Sequence, residues 1–162
     1  MTPRPGRDRD PAGRPRNARP RDGLGRPLPK GAVGEPRVPD DLLLPPAESL
    51  ALADRLLAEG RPFHAHEVLE ASWKAAPAAE RDFWQGLAQL AVGLTHARRG
   101  NAAGAITLLS RGAARIRPYA PANPHGVPVA RVAADAEELA RQIGQGGLTQ
   151  ARPVDPSLRL RH

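Results

Sequence analysis

Proline divides this chain into two parts that cannot share one kind of structure. Eleven of the 19 prolines fall within residues 1–46, too closely spaced for a helix or a paired strand to run between them. The same stretch holds none of the five aromatic residues, and before Asp40 only Leu24, Leu28, Val33 and Val38 offer apolar bulk. It has too little apolar surface to offset the conformational entropy lost on ordering, so residues 1–45 are expected to form a disordered Arg/Pro-rich tail.

Beyond Pro45-Pro46, proline and glycine act as punctuation between helical patterns. Residues 47–59 place Leu50, Ala53, Leu56 and Leu57 on one stripe, and Gly60 is a natural stop. Pro62 suits the first turn of a second helix, which should run to about residue 75 before Pro77 breaks it. A third helix is predicted over 79–99, with Phe83, Leu87, Leu90 and Leu94 on one face. Gly100 should end it and Asn101 should cap a fourth, running through Ile116. A weaker fifth helix is predicted over 128–143, with Val132, Leu139 and Ile143 as its apolar residues. No segment alternates as a strand does. The expected fold is all-α: a compact antiparallel bundle of about five helices over residues 46–143, followed by a flexible tail over 144–162.

The formal charge is +7, from 24 basic and 17 acidic residues. Residues 1–46 hold ten basic and six acidic residues, leaving 14 and 11 for the rest, so no dense basic helix stands out in the folded part. Any nucleic-acid or acidic-surface binding would be weak, non-specific and carried by the tail, which has no aromatic residue to stack on a base. The absence of cysteine excludes disulfides and thiolate ligands and fits a cytoplasmic setting. The most apolar window, residues 87–97, is interrupted by Gln89, Thr95 and His96 and falls short of the roughly 20 residues of a membrane span. No secretory signal is visible.

The second helix carries the polar residues that need explaining. At about 100° per residue, Glu70 lies roughly 40° from His66, and Trp73 roughly 20° to its other side. Phe63 and Leu69 flank this group, so His66, Glu70 and Trp73 are expected on the buried face, Glu67 at its edge and His64 in solvent. A buried carboxylate requires a partner. On the third helix Gln85, Gln89 and His96 fall within about 40° of one another. If that helix is central and turns this side toward the second, His96 is expected to converge with His66 and Glu70. The result would be either a hydrogen-bonded structural knot or, as the alternative, a divalent metal site using His66, Glu70 and His96.

Taken together, His66-Glu67, Glu70 and Trp73, then Gln85-Gly86-Leu87, Gln89, Ala91 and His96, then Arg99-Gly100-Asn101 and Gly104-Ala105 resemble the pattern of domain-of-unknown-function family 309. The match covers residues 50–118 approximately. The resemblance implies a compact helical bundle and a shared polar interior, and it brings no activity, substrate or cofactor. No serine sits in a nucleophile elbow, and no glycine-rich phosphate loop follows a strand. The chain therefore reads as a non-catalytic helical binding or structural module with no cofactor, whose partner is a protein or a second copy of itself. A metal-dependent protein and a weak nucleic-acid binder are the alternatives.

Overall fold

The structure, a computed structural model, describes residues 44–146, 148 and 156–161. The expected tail lies, up to residue 43, outside the described residues, as does the nucleic-acid binding ascribed to it.

Five helices carry the described chain: α1 (Pro46–Ala58), α2 (Pro62–Ala75), α3 (Arg81–Arg98), α4 (Ala102–Ile116) and α5 (Val129–Gly144). Short 3-10 turns at Ala78–Glu80, Arg117–Tyr119 and Pro124–Gly126 join them, and no strand occurs among the described residues. The all-α class holds. Proline starts α1 and α2, where its missing N–H costs no helical hydrogen bond. Gly60 and Gly100 end α1 and α3 at φ +73° and +79°, a region that a side chain on Cβ disfavours. At both stops two backbone bonds close the last turn, Arg61 N–H to the Leu56 carbonyl and Gly60 N–H to Leu57, then Asn101 N–H to His96 and Gly100 N–H to Ala97. The Asn101 side chain then accepts the Gly104 N–H at 3.1 Å and starts α4.

Helix α3 is the centre of the molecule. It packs against α2 on one side and α4 on the other, while α1 packs on α2 and α5 on α4. Phe83, Leu87, Leu90 and Leu94 are buried, as their spacing predicts, but Trp84, Ala88, Ala91 and Ala97 are buried too. Glycines bring the α3 and α4 backbones together. A Cβ on Gly86 would lie 2.6 Å from Ile116 Cγ2 and 3.2 Å from the Gly112 carbonyl oxygen, and one on Gly112 would lie 2.8 Å from the Gly86 oxygen.

The expectation of a flexible tail after residue 143 needs correcting for residues 156–161. Leu158 and Leu160 are buried in the core cluster, while Arg159 and Arg161 between and after them face outward. That alternation is the pattern of an extended segment lying on an apolar surface. Two apolar residues separated by one arginine are too short a signal to distinguish from tail sequence, and their acceptor is more than 100 residues away.

Candidate functional site

Helix α2 is turned differently from the sequence expectation. Its buried residues are Pro62, His64, Ala65, Val68, Leu69 and Ser72. The stripe of Ala65, Val68, Leu69 and Ser72 lies about 130° round the helix from that of Phe63, His66, Glu70 and Trp73. His64, expected in solvent, is fully buried. Trp73, expected in the core, is half-buried and packs against the core's edge. The aromatic residues suggested the wrong face because Phe63 and Trp73 outweigh alanine and serine in apolar area. A helix wedged between α1 and α3 instead turns its smaller side chains inward, where close approach adds van der Waals contacts.

The consequence is a surface cleft rather than a buried knot. His66, Glu70 and Trp73 of α2, Gln85, Ala88, Gln89 and Val92 of α3 and Leu108 of α4 line an open cavity of about 180 Å³. Glu70 Oε2 lies 3.2 Å from His66 Nε2, and its other oxygen 3.2 Å from Lys74 Nζ. The carboxylate thus answers a base one turn before it and another one turn after. Glu70 is 34% exposed, so its pairings carry no buried-charge penalty of the kind the sequence reading anticipated. Burial holds the His66 imidazole below its ordinary 6.5; the Lys74 ammonium acts the same way, and Glu70 opposes both. His66 Nδ1 is buried and has no hydrogen-bond partner among the described residues.

On the α3 side, Arg115 reaches across from α4. Its guanidinium donates to Gln89 Oε1 at 3.2 Å, Gln85 Oε1 at 3.1 Å and Asp82 Oδ1 at 3.0 Å. Arginine has only donors, so both glutamine oxygens must face it, leaving the two amide nitrogens as the donors. Arg115 was not singled out by the sequence, since an arginine in the last turn of a helix reads as a solvated charge. Its position 26 residues beyond Gln89 makes the pairing visible only in the fold.

His96 does not join this group. The Asn101 amide donates to His96 Nδ1 at 3.0 Å, and a Cβ on Gly104 would lie 3.0 Å from that same nitrogen. Among the described residues no three His, Asp or Glu side chains come together as they must to hold a metal ion. The expected convergence of His66, Glu70 and His96 is therefore not formed. The polar signature splits in two: His66, Glu70, Trp73, Gln85 and Gln89 build the cleft, while His96, Asn101 and the exposed Arg99 belong to the α3–α4 turn. Glu67 is half-buried, with one oxygen withdrawn from solvent, and does not line the cleft.

A second polar contact went unnoticed in the sequence. His125 Nε2 lies 2.6 Å from Glu80 Oε1, which also accepts the Trp84 indole N–H at 3.3 Å. The Tyr119 hydroxyl donates to the Ala79 carbonyl at 2.7 Å. Together they pin the loop before α5 to the turn before α3, with Asn123 and His125 at φ 45° and 54°. Strained residues of this kind persist only where the surroundings fix them.

Fold and cleft define a small all-α module with a mixed-charge cleft on its central helices. A family model described as Domain of unknown function (DUF309) matches residues 50–108, so the resemblance read from the motif holds over that stretch. It takes in every residue lining the cleft and leaves out Arg115. The Uncharacterized protein YpuF of Bacillus subtilis (strain 168) is 49% identical over 49 residues, which are 30% of this chain. The chain covers only 28% of that relative's length. No solved structure matches. These comparisons assign no specific function. Among the described residues no helix is long and apolar enough to cross a membrane.

Proposed function

We propose that this chain is a non-catalytic binding module whose α2–α3–α4 cleft seats one protruding side chain of a protein partner. The observation that carries the reading is the commitment of both glutamine oxygens to Arg115, which leaves two amide donors on residues that line the cleft together with Trp73. Such a pair complements a carbonyl or carboxylate oxygen. At about 180 Å³ the cleft is smaller than the roughly 300–1,000 Å³ of a drug-sized ligand pocket, so a single side chain fits it better than a free metabolite. The module is taken to work in the cytoplasm and without a cofactor.

Trp73 supplies the reporter. In a Trp84→Phe variant it is the one remaining indole, and its emission should shift on titration with short peptides bearing Asp, Glu, Asn or Gln. Peptides bearing only Lys or Leu should leave it unmoved. Gln89→Ala should abolish the shift while leaving the melting temperature within a degree or two. A large loss of stability in Gln89→Ala would make the cleft a packing feature and end the reading. Stoichiometric divalent metal in the purified protein, lost in His66→Ala, would overturn it in favour of a metal site.

A further inference from the structure

A different surface, between α1 and α5, carries an inference independent of the cleft. Segment 156–161 is held there by contacts of three kinds. The Arg159 guanidinium pairs with the Asp54 carboxylate through two bonds, Nε to Oδ1 at 3.0 Å and Nη2 to Oδ2 at 2.6 Å. The Leu160 N–H donates to Asp54 Oδ1 at 2.8 Å. Arg131 of α5 donates to the carbonyl oxygens of Arg159 and Arg161 at 3.2 and 2.9 Å. Leu158 and Leu160 are buried on either side.

Every element of sequence-selective peptide recognition is present. Alternate side chains enter the apolar surface, main-chain donors and acceptors are read by charged side chains, and one charged residue is read by a fork-on-fork pair. With the segment seated Asp54 is 5% exposed, and its two oxygens accept from the Arg159 guanidinium and the Leu160 N–H, a geometry that favours an arginine opposite it. We infer that the α1/α5 groove is a binding site for an extended Leu-Arg-Leu peptide, and that residues 158–160 are its built-in occupant. Residues 158–160 follow α5 in the same chain, as a tethered ligand does. A partner bearing the same pattern competes for the seat with the chain's own segment, whose tether gives it a high effective concentration.

The full chain with Arg159→Glu sets like charges against each other at Asp54 and vacates the groove. A fluorescein-labelled peptide of residues 156–161 should bind this variant saturably by fluorescence anisotropy and bind the wild-type chain at least ten-fold more weakly. Adding Asp54→Asn to the variant, or replacing the peptide's arginine by glutamate, should abolish binding. No binding to an Arg159→Glu chain with native helical content, or equal binding when Asp54 is also changed, would overturn the assignment. Should the variant not fold, amide exchange on the wild-type chain decides. The Leu160 N–H should exchange far faster than the α3 core amides, because the segment leaves without unfolding. Exchange at the global rate would make the segment a fixed part of the core.

Discussion

At Glu70 one carboxylate stands between an imidazole and an ammonium, each one helical turn away, and the burial of that imidazole outweighs the carboxylate in setting its pH response. Burial keeps the folded His66 pKa below its ordinary 6.5, so between the two values the unfolded chain binds more protons than the folded one. Stability is fully present above pH 6.5 and declines as the pH falls through that value toward the folded pKa. His66→Gln should flatten the melting-temperature profile between pH 7 and 5. A wild-type profile already flat there would show that the imidazole is as well solvated folded as unfolded. The two tryptophans give a second residue-scale outcome. Trp84 is 2% exposed, and its replacement by alanine should cost about 3–5 kcal/mol, whereas half-buried Trp73 should cost less than half of that in denaturant unfolding. The polar identities of the cleft, His66, Glu70, Gln85 and Gln89, were legible as residues out of place. Their exposure was not, because the side that a helix buries depends on its neighbours.

Helix limits proved easier to read than helix rotation, for a physical reason. Pro62, Pro77, Gly60, Gly100 and Asn101 act locally on the backbone and set the ends wherever the helix packs. In α2, by contrast, two apolar stripes compete, and only the distance to α1 and α3 decides between them. The same distinction separates glycines that look alike in sequence. Gly86→Ala would push a methyl group into Ile116 and the Gly112 carbonyl, backbone that cannot swing aside, and should cost about 1–3 kcal/mol. At the end of α5, Gly144 has nothing nearer than Ile106 Cδ1 at 3.7 Å, ordinary contact, and its φ is not in the left-handed region. There the same change should stabilise by about 0.4–1 kcal/mol through the unfolded chain. Opposite signs in urea unfolding would confirm the backbone contact of α3 and α4; equal signs would deny it.

On the scale of the molecule, helices that pack chiefly on their chain neighbours form a row with two ends, and segment 156–161 joins them. It links Asp54 of α1 to Arg131 of α5, across 105 residues between Asp54 and Arg159. The sequence could not show this closure, since neither partner carries a local signal of the other. Burial alone would raise the Asp54 pKa, but the Arg159 hydrogen bonds, the Leu160 N–H and the charges of Arg159 and Arg161 outweigh it and hold the group below its ordinary 3.8. A depressed carboxylate contributes stability that is present above 3.8 and lost as the pH falls through the folded pKa. Asp54→Asn should therefore cost about 1–3 kcal/mol at pH 7, the range for hydrogen bonds to a charged group, discounted because Arg159 is 57% exposed. Urea unfolding of both chains from pH 7 downward should show the difference closing below pH 3.8. A difference that persists unchanged to pH 2 would mean that the substituted amide fails by shape rather than by lost charge.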